Sequence, residues 1–221
     1  MRSAAKILVP VLLIVSVVVV AAQQAQPPRR PASPPGVAQT QVGGKWVTPT
    51  DKPGAAPRYQ DGKWIEVTYG RPILRGRENI FGKGADYGKA ISDEAPVWRA
   101  GANLTTRIMT EAPLVFEGKS LPAGEYSMFV DLKEGSWTLI FSKQPVQQKY
   151  DPNDKVNTFG AYNYDPKQDV LRVPMTLGKS PYSVDQFTIG FVDMTSQGGK
   201  LAMWWDKEFA TAAFTVGSET K

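Results

Sequence analysis

The chain contains no cysteine and no histidine. Without cysteine there are no disulfides, no thiol nucleophile, no thiolate metal site and no lipid anchor of the lipoprotein type, which is attached through that residue. Without histidine the usual general base near neutral pH is missing, and so is the usual ligand for zinc, copper and iron. Ser-His-Asp hydrolysis, HExxH zinc chemistry and His-carboxylate iron sites are therefore excluded. No cofactor and no metal is expected from the residues that remain.

Long helical periodicity is also lacking, and so is a basic face on the body of the chain. The net charge is +5, but residues 1–58 carry seven Lys/Arg and one acid, while residues 59–221 carry 19 Lys/Arg and 20 Asp/Glu. The excess positive charge belongs to the N-terminal quarter, and the remainder is close to neutral. Nucleic-acid binding needs a basic surface on the folded domain, so it is not expected.

Residues 1–22 have the form of a secretory leader. Arg2 and Lys6 precede an apolar run over residues 7–20, and small residues lead to a cut near Ala22. The run is short for a membrane span, so the leader reads as cleaved, with export to the periplasm or medium as the expected location. A membrane contact would come only through an uncleaved leader. Residues 23–58 hold eight of the 18 prolines and read as a disordered proline-rich linker. A single domain is expected over 59–221.

Within that domain the pattern turns to period two. Ile65, Val67 and Tyr69 alternate with Glu66 and Thr68, the signature of a half-buried strand. Further strands are expected over 114–116, 125–132, 136–142, 170–175, 186–194, 201–205 and 209–216. Lys133-Glu134-Gly135 and Ser196-Gln197-Gly198-Gly199 supply hairpin turns. One short helix fits residues 87–92. The expected fold is all-β: an antiparallel β-sandwich or jelly roll of about eight or nine strands with one long irregular segment.

That segment spans residues 70–103. The post-linker domain has six arginines, and Arg71, Arg75, Arg77 and Arg99 lie within it; Arg107 and Arg172 lie outside. Arginine's planar fork suits carboxylate, phosphate or sulfate, and it stacks on aromatic rings. A long irregular stretch inside a compact domain is commonly functional. The candidate ligand-binding residues are Tyr69, Arg71, Arg75, Arg77, Trp98, Arg99, Asn103, Asp169 and Arg172. The bland alternatives are that Arg99 pins a loop through an acid, that Trp98 is core and that Asn103 is a turn residue. Asp151-Pro152-Asn153-Asp154 lacks the closing glutamate of a calcium loop and reads as a solvated turn. No catalytic residue is marked.

Tyr69-x-Arg71-Pro72-x-x-Arg75-Gly76-Arg77, Ile80-Phe81-Gly82, Trp98-Arg99-x-Gly101-Ala102-Asn103-x-x-Thr106, Leu121-Pro122-Ala123-Gly124-x-Tyr126 and the Trp137–Phe141 strand together resemble an exported bacterial domain-of-unknown-function family, number 2911. Asp169 to Val173 resembles a later element of that family. The resemblance covers about residues 63–216 and implies an exported β-rich domain with no assigned activity. An insertion-like stretch over residues 84–94 departs from the family pattern.

Three functional readings remain. The first is a binding module for a small anionic or polyhydroxylated, glycan-like ligand. The second is a structural or partner-docking envelope protein. The third is a carboxylate-based glycan hydrolase drawing on Glu66, Asp93, Glu94 or Asp169. The first reading carries a geometric expectation: Arg71, Arg77, Arg99, Asn103 and Arg172 converge on one surface pocket.

Overall fold

The computed structural model describes residues 31–218, so the leader and the first part of the expected linker lie outside it. Twelve strands follow in order: β1 (Pro35–Val42), β2 (Lys45–Val47), β3 (Arg58–Gln60), β4 (Lys63–Gly70), β5 (Thr106–Thr110), β6 (Leu114–Phe116), β7 (Lys119–Leu121), β8 (Gly124–Lys133), β9 (Ser136–Ser142), β10 (Asp169–Pro174), β11 (Thr176–Thr195) and β12 (Gly198–Val216). One α-helical turn, α1 (Lys89–Ser92), and 3-10 turns at Gly84–Asp86 and Pro166–Gln168 complete the described elements. No helix among the described residues is long and apolar enough to cross a membrane.

The strands form an antiparallel β-sandwich. One sheet has the order β1-β4-β5-β8-β9-β10, the other β11-β12-β6-β7, and β2-β3 is a small ribbon of its own. The alternation in β4 does what period two requires: Ile65, Val67 and Tyr69 are buried, and Glu66 and Thr68 stay partly exposed. They pack with Ile108, Met128 and Leu139 of the same sheet against Ile189, Met203 and Phe214 of the other. Gly135, at φ 78, makes the tight turn of the β8–β9 hairpin, and the helical turn falls inside the expected stretch. Two expected strands, 201–205 and 209–216, are halves of the single long β12.

The linker boundary needs correction. Residues 35–42 form a full edge strand, with Pro35 opposite Gly70 and Val42 opposite Lys63. Val42 is completely buried and Ala38 nearly so. The prolines do not prevent this. Pro34 and Pro35 stand at the start of an edge strand, where a missing N–H costs no ladder bond. The chain then continues through β2 and β3, where Trp46 meets Tyr59 edge-on at 5.6 Å between ring centroids. The folded domain therefore begins near residue 31 rather than 59.

The irregular segment of residues 70–103 is held by its own chemistry. A Cβ at Gly70 would stand 1.9 Å from the Ala102 carbonyl, so only glycine permits the two strands of this loop to touch. Trp98 exchanges backbone hydrogen bonds with Val130, both 2.8 Å, on the side of β8 that β5 no longer reaches. Its side chain enters the core, while its neighbour Val97 faces the other way and packs with Phe129, Ile140 and Ala161. This second cluster covers the outer face of the β8–β9 half of the larger sheet. Among the described residues the β1–β4–β5 half has no such cover. The insertion-like stretch also packs down: the Tyr87 ring stacks on Phe81 and its hydroxyl accepts from the Trp137 indole at 3.0 Å.

Truncation tests the revised boundary. A chain of residues 31–218 should unfold in one cooperative urea transition. A chain of residues 59–218 should be much less stable, since the loss of buried Val42 alone costs about 2 kcal/mol. Equal urea midpoints for the two would return β1 to the linker.

Candidate functional site

The nine residues singled out in the sequence do not converge, and each arginine among them already has its own partners. The Arg71 guanidinium donates to the Phe187 carbonyl at 3.2 Å and to the Thr188 hydroxyl at 3.0 Å, tying the start of the irregular segment to β11. Arg77 donates to the carbonyls of Leu74 and Ile73 and lies over the Trp205 ring. Arg99 donates to the Asn103 carbonyl at 3.0 Å and sits over Tyr162, whose hydroxyl donates to Asp93. Burial lowers the Arg99 pKa from its ordinary value, while Tyr162 and Asp93 push it back up. Trp98 is core, 1% exposed. The Tyr69 hydroxyl donates to the Ile189 carbonyl and accepts from the Ile189 N–H, binding one sheet to the other.

Arg75 and Asn103 grip the chain's own N-terminal stretch. Arg75 donates to the Ala32 carbonyl at 2.8 Å, the Asn103 amide to the Ser33 carbonyl at 2.9 Å, and the Arg71 backbone N–H to the Pro34 carbonyl at 2.8 Å. Three successive carbonyls are thus held by the loop that the composition pointed to as a ligand clamp.

Asp169 and Arg172 form a separate clip on β10. The Asp169 carboxylate accepts from the Tyr164 hydroxyl at 2.6 Å and from Arg172 Nε at 2.9 Å, and Arg172 also donates to the Tyr164 oxygen. Tyr164 packs edge-on against Phe129, so the clip holds the outer cluster in place. Burial, followed by the Asp169 hydrogen bond, pushes the Tyr164 phenol up to about 12. The Leu-Pro-Ala-Gly-x-Tyr motif is structural as well: the Tyr126 hydroxyl donates back to the Pro122 carbonyl at 2.9 Å, as in the tyrosine corners of other sandwiches.

A concave surface lies elsewhere, on the bare β1–β4–β5 half of the sheet. Cross-strand register aligns Val37, Thr68, Arg107 and Ser127 in one row on its outer face. Above this floor stand the 102–105 turn, the 31–35 stretch and the 146–148 loop, enclosing a depression of about 350 Å³. A second depression of about 310 Å³ adjoins it, and Arg107 and Val146 line both. Of the nine expected residues only Tyr69 and Asn103 line the first one.

The loop that forms the far wall is shaped by two buried glutamines. The Gln144 amide donates to the carbonyls of Val156 and Asn163 and its oxygen accepts from the Asp165 N–H. The Gln147 amide donates to the Asn157 carbonyl and its oxygen accepts from the Asp151 N–H. The Asp154 carboxylate accepts from Asn157 and from the Val156 N–H, which lowers its pKa. That arrangement is a capped turn. No group of three or more acids among the described residues gathers as metal ligands would.

Arg107 is the group that the sequence reading passed over. It lies outside the motif-rich segment, and its only sequence signal is a position between two inward residues, Thr106 and Ile108. It pairs with Glu125 across β5 and β8. The two side chains are 37% and 51% exposed, so the pair contributes under about 1 kcal/mol. Arg107 Nε is nevertheless buried and has no hydrogen-bond partner among the described residues. A buried donor left unbonded costs free energy that a ligand acceptor can recover.

These features define an all-β sandwich carrying an arginine-floored groove on the uncovered half of one sheet. Residues 53–214 match the family described as Protein of unknown function (DUF2911), and the chain belongs to that family. No curated protein and no solved structure matches the chain.

The clip on β10 yields a pH prediction. The Tyr164 proton is held more tightly in the folded state than in the unfolded chain, whose tyrosines titrate near 10. Stability from this group is complete below pH 10 and is lost as pH rises toward about 12. Urea midpoints measured from pH 9 to 12 should fall more steeply for the native chain than for Tyr164→Phe. Parallel curves would mean that the hydroxyl is not held as described.

Proposed function

We propose that the protein is an exported, non-catalytic binding module whose site is the groove over β1, β4 and β5. The observation that carries this reading is Arg107, a charged side chain with a buried unbonded donor at the junction of two depressions. Ordinary small-molecule sites have volumes of roughly 300–1,000 Å³, mostly apolar walls and a few placed polar groups. Val37, Leu104 and Val146 supply the apolar walls here, and Arg107 and Asn103 the polar points. The leader pattern of residues 1–22 supports the export part of this reading. Three of the four acids considered for catalysis give less support to a hydrolase: Glu66 accepts from Gln39, Asp93 from Tyr162, and Asp169 from Tyr164 and Arg172.

The test is thermal unfolding of the full chain with N-acetylglucosamine oligomers, muropeptides and small organic anions. A probe at a hundred times its Kd should raise the midpoint by about 5–10 °C. Leu104→Glu, a change at an exposed wall residue, should abolish the shift. A panel that leaves the midpoint unmoved would end the binding-module reading.

A second reading has one observation in its favour. Trp46 on the β2–β3 ribbon is 70% exposed, a large ring left open on a tip, which suits docking to an envelope protein. On that reading Trp46→Ala abolishes cross-linking to the partner in cells and leaves ligand stabilisation in the groove intact. Unchanged cross-linking would remove it.

A further inference from the structure

The walls of the groove and the charges around Arg107 restrict its ligand more narrowly than binding alone. We infer that the groove takes an amphipathic monocarboxylate, whose head group replaces Glu125 at Arg107 while its apolar body lies along Val37, Leu104 and Pro35. This rests on the binding-module reading and names the ligand class for the same site.

The charge count comes first. Among the described residues Arg107 is the only charged one lining the larger depression, and the smaller one adds Glu125 and Lys143. Of these, Arg107 alone lines both depressions, one positive charge suited to a single negative charge. A phosphate monoester near pH 7 carries nearly two. Glu125 already shows which acceptor Arg107 takes, a carboxylate. Guanidinium matches carboxylate in a planar, two-bond geometry, and Arg107 Nε is the donor still without an acceptor.

The walls decide the rest of the ligand. Sugar sites commonly stack rings on exposed aromatic faces. Among the described residues the only aromatic one lining the larger depression is Tyr69, which is 7% exposed and has both hydroxyl bonds committed to Ile189. In place of a stacking platform the ligand meets Pro31, Pro35, Val37, Leu104 and Val146. Val37 is 57% exposed and Leu104 43% exposed, so an apolar chain laid over them removes surface from water that the fold itself leaves uncovered.

Glu125 acts in this scheme as an internal competitor. Its pairing with Arg107 is exposed and weak enough to exchange. Turning Glu125 out to solvent opens the guanidinium edge that carries the buried Nε, and a ligand carboxylate then gains that donor as well as the charge.

Nitrogen-15 NMR of the full chain reads this directly through the Arg107 Nε–H resonance, assigned by its loss in Arg107→Lys. Octanoate should move that resonance together with the backbone amides of Thr68 and Leu104. Octanol, with the same chain and no charge, should bind at least roughly tenfold more weakly, and so should octanoate to Arg107→Lys. Glu125→Gln should tighten octanoate binding about threefold, because the competitor is gone. If octanol binds as well as octanoate, or Glu125→Gln weakens binding, the carboxylate assignment is overturned while the groove remains a binding site. If octanoate, octanol, the oligosaccharides, the muropeptides and the small organic anions all leave the groove amides unmoved, this inference and the binding-module reading fall together.

Discussion

The insertion of Trp98 between the two sheets is the interaction on which the remaining structure depends. Its indole stacks on Trp205 of β12 at 6.0 Å and 11° and meets Phe187 of β11 edge-on at 4.8 Å. It also touches Trp137 of β9 and Phe81 of its own segment. Rings of this size bury 150–250 Å² each and favour stacked or edge-on geometry, so one residue from an irregular segment joins both layers. Its backbone bonds to Val130 fix the direction of the chain on either side. Val97 is then set on the outer face, and the 100–105 turn is set where Thr106 starts β5.

The asymmetry of the larger sheet follows from that placement. Val97, Ala161 and Tyr164 cover Phe129 and Ile140, and the clip of Tyr164, Asp169 and Arg172 keeps the cover closed. The cover ends near Val146. Beyond it the outer face of β1, β4 and β5 carries Val37, Thr68, Met109 and Arg107 with nothing packed on them from the outer cluster. A groove exists there because loops rise around a bare area of sheet. The arginine-rich motif contributes indirectly: Arg75, Asn103 and the Arg71 backbone hold residues 32–34 so that Pro31 and Pro35 become one wall.

Legibility varied with how local the physics was. The β8–β9 hairpin was readable because alternation broken only at Phe129 and Ile140, a short turn and Gly135 agree with one another within twenty residues. β5 was missed: Thr106-Arg107-Ile108-Met109-Thr110 is too short and too mixed to show its period. β1 was missed because proline, glycine and glutamine mark a linker in isolation. It becomes a strand only because β4 presents an open edge and the 70–103 segment holds the residues before it. The site suffered the same limitation. Clustering in sequence drew attention to four arginines that are spent on carbonyls, a hydroxyl and aromatic rings. The solitary Arg107, paired with Glu125 of the neighbouring strand, is the one with a buried donor unbonded among the described residues.

The sequence by itself determined the class of this protein. Absent cysteine and histidine removed whole chemistries, period-two patterning required sheets, and the spaced motifs placed the chain in its family. These are properties of composition and of near neighbours along the chain. Tertiary structure alone decided which polar groups are already satisfied, which half of a sheet stays uncovered and where the domain starts. Those depend on contacts between residues tens of positions apart, such as Asn103 with Ser33 and Arg71 with Phe187, which no local pattern encodes.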